Sequence, residues 1–352
     1  MSPIRAIRTL TLLGAALAFL VIIFGAYVRL SNAGLSCPDW PGCYGKLVVP
    51  QSEAAISEAN ASFPHRPVDV TRAWLEMIHR YLASTLGLII LATALIAWRC
   101  RRTPGVPTRL ALLLVGLVIF QGMLGMWTVT LLLKPIVVTG HLIGGILTFV
   151  LLFLTYLRAG NVRDVRAARI SPASATGGTR LLITLSATVL LAQIILGGWT
   201  STNYAALACP DFPTCQGQLI PELHLSEALR PWRGLGVNYE GGVLGNTARV
   251  TIHFLHRLGA LTVLVLLLAT AWAAIRQGGA LKKLGAVLVA GVGIQISLGI
   301  SNVVLGLPLL VAVAHTGGAA LLLLLVLAMY HTAGLAQHER GTPEASPQAS
   351  PA

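Results

Sequence analysis

Long apolar stretches recur along the chain, separated by shorter polar or basic segments. Eight of them approach or exceed the roughly 20 mainly apolar residues that an α-helix needs to cross a bilayer. These stretches are Thr9–Arg29, Ala73–Trp98, Leu110–Thr130, Pro135–Leu157, Leu181–Thr200, Val250–Ala274, Leu284–Leu305 and Leu309–Tyr330. The pattern predicts an all-α membrane protein with eight transmembrane helices.

The composition narrows the class of protein further. Of the 352 residues, 55% are hydrophobic and only 11% are charged, whereas about 25% are charged in ordinary soluble domains. The mean hydropathy is +0.76. These values exclude a soluble enzyme and a disordered protein.

The charged residues are distributed unevenly between the two predicted sides of the membrane. The chain carries 25 basic and 12 acidic residues, a net charge of +13. The termini and the short links between spans hold 15 basic and 3 acidic residues, a net of +12, and the remainder holds only +1. Since basic loops stay in the cytoplasm, we expect both termini inside and the long loops, residues 30–72 and 201–249, outside. The excess charge sets orientation and favours anionic lipid; we expect no nucleic-acid partner.

The two halves of the chain repeat the same motifs in the same order. The segment Gly34–Cys43 matches Ala206–Cys215. The other matches are His79-Arg80 with His256-Arg257, Gln121 and Leu124-Gly125 with Gln295 and Leu298-Gly299, and His141 with His315. The interval between matched positions is nearly constant along the chain. Because four spans per unit is an even number, the repeats predict two parallel four-helix bundles related by an axis along the membrane normal.

This duplication also predicts the domain boundaries. Residues 1–158 form the first half and residues 179–333 the second. We expect residues 159–178 to be a cytoplasmic linker and residues 334–352, rich in Ala, Pro and Ser at their end, to be a disordered cytoplasmic tail.

Four histidines occupy repeat-related positions inside the predicted spans: His79, His141, His256 and His315. Ionisable side chains within a membrane are costly and generally face the bundle interior. Neutral imidazole is a good axial ligand for haem iron, and facing helices of a four-helix bundle can hold a cofactor between them. The pattern predicts one haem site in each half, with structural hydrogen bonds between helices as the alternative. All four positions fall within about the outer third of the bilayer, which argues against a carrier that moves electrons across the membrane.

The halves differ three residues before the first histidine of each pair. Glu76 precedes His79, and His253 takes the matching place in the second half. Three residues put both side chains on one helix face, and a buried carboxylate is expensive unless it has a task. We therefore expect the first half to do chemistry and the second to hold a cofactor. The alternative for Glu76 is an interfacial ion pair with Arg72 or Arg80. His253 is a spare ligand, a partner of the porphyrin edge or an interfacial residue.

Two arginines directly follow histidines of the repeated pair. Arg80 and Arg257 are candidates to contact haem propionates, because guanidinium groups suit carboxylates. The alternative is that their charged ends extend to the membrane surface.

The outward loops each carry a cysteine pair, Cys37/Cys43 and Cys209/Cys215, with the spacing Cys-Pro-Asp-aromatic-Pro-x-Cys. An oxidising location and the short separation favour a disulfide in each loop. The alternative is a redox-active pair that exchanges with a partner thiol. Cys100, at the cytoplasmic end of its span, is expected to stay reduced.

With these motifs the sequence resembles the haem A synthase family from about Leu10 to Tyr330. The resemblance rests on eight spans in two repeats, Glu76-x-x-His79-Arg80, His256-Arg257, His141, His315 and the outward Cys-Pro-Asp motifs. It implies that His256 and His315 bind a haem b cofactor. It also implies that His79 and His141 bind the substrate haem O and that Glu76 is catalytic.

The resemblance implies an activity as well. Family members oxidise the C8 methyl of haem O to a formyl group by successive hydroxylations, producing haem A for cytochrome oxidases. The family's first-loop cysteine pair maps to Cys37 and Cys43, whereas the pair Cys209/Cys215 is not present in every member. We expect a bacterial inner-membrane location, a haem O synthase as a natural partner and an unidentified electron acceptor.

Three other functions fit parts of the pattern. A diheme b-type electron-transfer cytochrome would use the four histidines without modifying haem. A haem-handling protein would bind haem O and leave it unchanged. A thiol–disulfide oxidoreductase would depend on the cysteine pairs and not on the histidines.

Overall fold

The computed structural model describes residues 2–160 and 176–338, with side chains described as far as residue 333. Its helices are α1 (Pro3–Leu30), α2 (Glu53–Ser62), α3 (Val70–Arg99), α4 (Thr108–Thr130), α5 (Pro135–Arg158), α6 (Gly177–Thr202), α7 (Leu225–Ala228), α8 (Asn246–Gln277), α9 (Gly279–Val304) and α10 (Leu309–His338). Eight of these are long and apolar enough to span a membrane. The predicted all-helical, eight-span protein is confirmed.

Most spans begin several residues before the predicted apolar stretch, because polar capping residues lie outside it. Ser2 accepts a hydrogen bond from the Arg5 backbone N–H at 3.4 Å, and this caps α1. Asp69 accepts one from the Arg72 N–H at 3.0 Å, at the start of α3. Each such cap satisfies a helix N–H that has no partner within the helix.

The α8–α9 turn is tighter than the apolar pattern predicts. Gly278 and Gly279 have φ values of +79° and +53°, a region that residues with a Cβ atom rarely adopt. The chain therefore reverses at these two glycines, and α9 begins well before the predicted Leu284.

The eight long helices contact one another in two sets of four. In one set α1, α3, α4 and α5 form a closed ring, and in the other α6, α8, α9 and α10 do the same. Contacts of α1 with α10, α5 with α6 and α5 with α10 join the sets. This grouping divides the helices as the sequence repeat does, while the symmetry axis remains a prediction.

Large apolar side chains cover the outer surface of the spans. Leu88 is 68% exposed, Ile294 62% and Val265 61%. Helices satisfy their own backbone hydrogen bonds, so they can present such side chains to lipid. The interior is a packed apolar cluster that draws on both sets of helices.

The two long loops, residues 31–69 and 203–245, contain two short helices, α2 and α7, that the apolar pattern does not predict. The second loop reaches across to the first set of helices. Lys134 donates from Nζ to the Gly234 carbonyl at 2.6 Å, and the Tyr239 N–H donates to the Leu132 carbonyl at 3.1 Å.

Parts of the predicted linker and tail lie outside the described residues, namely residues 161–175 and 339–352. Within the described part, α6 begins at Gly177, inside the predicted linker. Likewise, α10 continues to His338, inside the predicted tail.

Candidate functional site

A cavity of about 1240 Å³ opens between the helices of both sets. All four of the predicted ligands, His79, His141, His256 and His315, line it. Glu76 lines it too. Most pockets for one small ligand measure about 300–1,000 Å³, so this cavity has room for a large ligand or for more than one.

In the first half the imidazoles of His79 and His141 face each other across α3 and α5. Their ring centroids are 6.5 Å apart and their planes are inclined by 77°. Two bonds of about 2 Å from nitrogen to a central metal ion, together with the two ring radii, span a similar distance. The pair is therefore spaced so that both imidazoles could hold one metal ion between them.

Each of the four histidines packs its ring edge against a glycine of a neighbouring helix. A Cβ atom built on the glycine would approach the histidine Cε1 to 2.7 Å at Gly25 (His79), 3.4 Å at Gly125 (His141), 3.1 Å at Gly197 (His256) and 3.1 Å at Gly299 (His315). Real Cβ contacts are essentially never as short as the first of these. Because these positions carry no side chain, the edge of each imidazole fits against the next helix.

The donor set fits a metal held in a macrocycle. The Nδ1 atoms of His79, His141 and His315 are buried and have no hydrogen-bond partner among the described residues. Among the described residues, no group of three or more His, Cys, Asp or Glu side chains could hold a metal ion without a macrocycle. Two imidazoles would hold the iron of a haem, which would supply a redox centre. The residues therefore fit the predicted haem sites.

Glu76 is 5% exposed and its carboxylate is held by two donors. Arg80 Nη2 donates to Oε1 at 2.5 Å, and the Cys37 backbone N–H donates to Oε2 at 2.9 Å. Of the two predicted ion-pair partners it is thus Arg80 that pairs, while Arg72 pairs with Asp69 at 3.4 Å. Removing one partner of a buried ion pair typically costs about 3–5 kcal/mol. Glu76 also lines the cavity.

His253 occupies the position of Glu76 in the second half, and its contacts clarify the role that the sequence leaves open. Its Nδ1 accepts a hydrogen bond from the Cys209 N–H at 3.2 Å. Arg257 Nε lies 3.2 Å from its Nε2. Its Nδ1 is therefore taken up by the loop and its Nε2 faces the Arg257 guanidinium, which disfavours a spare metal ligand. His253 reproduces the loop contact of Glu76 without its negative charge.

Arg80 and Arg257 point their guanidinium groups into the cysteine loops. Arg80 Nη1 lies 3.0 Å from the Asp39 carbonyl oxygen and 3.2 Å from that of Pro41. Arg257 Nη1 donates to the Thr214 carbonyl at 2.7 Å. Both also line the cavity, so contact with a haem propionate remains a prediction. The hydrogen bonds themselves show that each arginine connects its span to the cysteine loop.

The four loop cysteines form two disulfides. The bonded pairs are Cys37–Cys43, with Cα atoms 4.8 Å apart, and Cys209–Cys215, with Cα atoms 4.6 Å apart. All four residues are at most 1% exposed. Exchange requires access of an attacking thiolate, so this burial favours a structural role. Cys100 is free, in agreement with the prediction.

The aspartate of each Cys-Pro-Asp motif closes the turn that follows it. Asp39 accepts hydrogen bonds from the N–H groups of Tyr44 at 2.7 Å and Gly45 at 2.8 Å. Asp211 does the same for Gln216 at 2.6 Å and Gly217 at 2.9 Å. These hydrogen bonds, together with one from the Thr214 hydroxyl, which contributes most, lower the pKa of Asp211 to about 2. The motif is therefore a self-contained turn held by a carboxylate.

Sequence reasoning misses several residues of the site. Gly25 and Gly197 belong to no motif identified above, although they are separated by the same interval as the cysteine motifs. Gln193, which contacts His256 at 2.8 Å, is missed because it has no glutamine counterpart in the first half. A search for every residue repeated at the interval of the cysteine motifs would find the glycines.

These features define a multi-pass helical membrane protein in which paired histidines and one buried carboxylate line an internal cavity. The chain belongs to the cytochrome oxidase assembly protein family, whose model matches residues 8–327.

Three relatives that are similar to nearly the whole chain share the name haem A synthase. A protein of Shewanella oneidensis named haem A synthase is 49% identical over 309 residues, covering 87% of this chain and 90% of its own length. A haem A synthase of Beijerinckia indica is 31% identical over 347 residues, with coverage of 92% and 91%. One of Allorhizobium ampelinum is 29% identical over 339 residues, with coverage of 91% and 88%.

Proposed function

We propose that this protein is a haem A synthase, which oxidises the C8 methyl of haem O to the formyl group of haem A. The family membership and the 49% identical relative of that name support the activity. The single observation that carries it is the buried carboxylate of Glu76, which lines the cavity one helical turn from His79. The second half has no carboxylate at that place.

The two halves have different tasks in this proposal. His79 and His141 hold the iron of the substrate haem O, and His256 and His315 hold the iron of a haem b cofactor. When bound, haem b supplies a one-electron redox centre, which the side chains alone do not provide. The four glycine contacts leave room for each imidazole beside the neighbouring helix.

Glu76 acts on the substrate in the first half. Arg80 and the Cys37 N–H fix its two oxygens, so the carboxylate has one orientation in the cavity. From there it takes up a proton at Oε1 or Oε2, or stabilises positive charge that develops at the methyl carbon.

The charge distribution supports an orientation. The side with the termini carries a net charge of +12, which supports a cytoplasmic location for that side in a bacterial inner membrane. Both long loops, with their disulfides, then lie outside. A haem O synthase supplies the substrate, and an electron acceptor, whose identity is open, removes the electrons.

Mass spectrometry of the porphyrins extracted from the purified protein tests the proposal. We expect haem b together with haem O, haem A or a hydroxylated intermediate. Haem b alone would instead indicate an electron carrier, and unchanged haem O without products would indicate a haem-handling protein. Activity that survives loss of the histidines but not of the cysteines would indicate a thiol–disulfide oxidoreductase.

Replacing Cys37 and Cys43 together with Ser is expected to lower the haem A yield more than the same change at Cys209 and Cys215. A disulfide contributes about 2–4 kcal/mol, and the first one holds the N–H that orients Glu76. Extracted pigment from membranes with equal amounts of each variant gives the yields. Equal yields from the two double variants would contradict this account, and Cys100→Ser serves as the neutral control.

A further inference from the structure

Three of the four cavity histidines are hydrogen-bonded to a glutamine on a neighbouring helix. The pairs are Gln121–His141 at 2.8 Å, Gln193–His256 at 2.8 Å and Gln295–His315 at 2.9 Å, each from the amide Nε2 to the histidine carbonyl oxygen. In each case the glutamine amide donates to the main chain of the helical turn that carries the histidine. Gln193 also lies 3.0 Å from His256 Nδ1.

A glycine three residues after each of these histidines makes room for the glutamine. The glycines are Gly144 after His141, Gly259 after His256 and Gly318 after His315. A Cβ atom at any of the three would collide with the glutamine Oε1. Each glutamine is thus seated between a histidine carbonyl and a bare glycine backbone, and we call this arrangement the glutamine bracket.

His79 has no glutamine bracket. In the first half, the position that matches Gln193 at the interval of the cysteine motifs is Val21. The position that matches Gly259 at the interval between His79 and His256 is Leu82. Neither side chain can donate a hydrogen bond to a carbonyl. The ring beside His79 is that of Phe24, with centroids 6.5 Å apart, which gives an apolar contact and no anchor.

The bracket has a physical consequence for the histidine it holds. In the hydrocarbon region a side-chain amide has no water to bond, so the hydrogen bond to a neighbouring helix is retained. It fixes the turn bearing the ligand relative to the next helix. The turn bearing His79 is held to its loop through Arg80 but has no such hydrogen bond to a neighbouring helix, so its imidazole can shift or rotate more easily.

We propose that Gln121, Gln193 and Gln295 are positioning residues and that unbracketed His79 is the ligand that detaches to exchange haem. Two bracketed histidines retain the haem of the second half. In the first half, His141 has a bracket and His79 has none. Haem can therefore exchange at this site, as binding of a substrate and release of its product require. This inference rests on the proposed function for its assignment of substrate and cofactor.

Haem release from the purified holoprotein to apomyoglobin tests the proposal, followed by Soret absorbance and by extraction of the haem that remains. We expect the wild-type protein to release haem O and haem A faster than haem b. Gln193→Met keeps the side-chain size but removes the donor, and should speed haem b release about ten-fold. It should also shift the ferric electron paramagnetic resonance signal of that haem. Gln277→Met, at the cytoplasmic end of the helix that carries His256, is the matched control.

The reciprocal variant adds a bracket where none exists. Val21→Gln combined with Leu82→Gly should slow release of the first-half haem and leave haem b release unchanged. Haem b release from a folded Gln193→Met protein that matches the wild type would overturn the proposal, and so would unchanged release of the first-half haem from the double variant. Should Gln193→Met fail to fold, the same prediction holds for Gln295→Met, which bears on the same haem.

Failure of the bracket and failure of the proposed function give different results. If release changes as expected but the wild-type protein never converts haem O, the bracket stands and the proposed function falls. If haem O is converted but the Gln193→Met release rate and signal match the wild type, the bracket falls and the function stands.

Discussion

The variant Glu76→Gln is expected to lose haem A formation by about 100-fold or more, the loss typical for removal of a catalytic acid or base. The amide oxygen can still accept the Cys37 N–H that now bonds the carboxylate at 2.9 Å. The loop contact is therefore kept, while the charge and the exchangeable proton are lost. The measurement is the ratio of haem A to haem O extracted from membranes with equal amounts of protein.

Glu58→Gln is the matched control for this change. Glu58 pairs with Lys46 at 2.9 Å in the same loop region, but its side chain is 68% exposed. We expect it to convert haem O as the wild type does. Full conversion by Glu76→Gln, with haem O bound, would show that the carboxylate has no catalytic role.

Single alanine substitutions of the histidines are expected to separate the two haems. His256→Ala should lose haem b and, with it, conversion of haem O, because electrons then have no route out of the first site. His79→Ala should keep haem b and lose firmly bound haem O. Absorption spectra of the purified proteins together with extracted pigments distinguish these outcomes.

The control for the histidine series is His224→Ala. The side chain of His224 is 57% exposed in the second long loop, and it pairs with Glu227 at 3.2 Å. It should retain both haems. If His256→Ala and His79→Ala lost the same haem, the assignment of one haem to each half would be wrong.

The spans and most of the site were predictable because membrane insertion and duplication leave strong patterns. Apolar stretches of sufficient length locate all eight long helices. Repetition of a rare residue type at a near-constant interval singled out His79 with His256 and His141 with His315, and the rings of His79 and His141 lie 6.5 Å apart. Membrane insertion and duplication both constrain the type and spacing of residues, and these can be read directly from a sequence.

The remaining features depend on contacts between distant segments. Nothing near Arg80 shows that it bonds the carbonyls of residues 39 and 41, nor that Glu76 accepts the Cys37 N–H. The bracket at Gln193 brings together side chains 63 residues apart on different helices. Helix ends are misplaced for a simpler reason, since caps such as Asp69 are polar and lie outside the apolar stretches.

The ion pair between Arg66 and Glu240, at 3.1 Å, joins positions that are 174 residues apart. On the predicted repeat Arg29 and Ser201 are equivalent positions, because their contact at 3.4 Å spans 172 residues, which is the interval of the cysteine motifs. In a symmetric dimer of identical units, contacts near the axis pair a residue with its own copy, so arginine would face arginine at this place. Joining both units in one chain lets each position hold its own residue, so repulsion becomes attraction. The fused chain thereby has one allowed pairing of its halves, which two identical subunits could not encode.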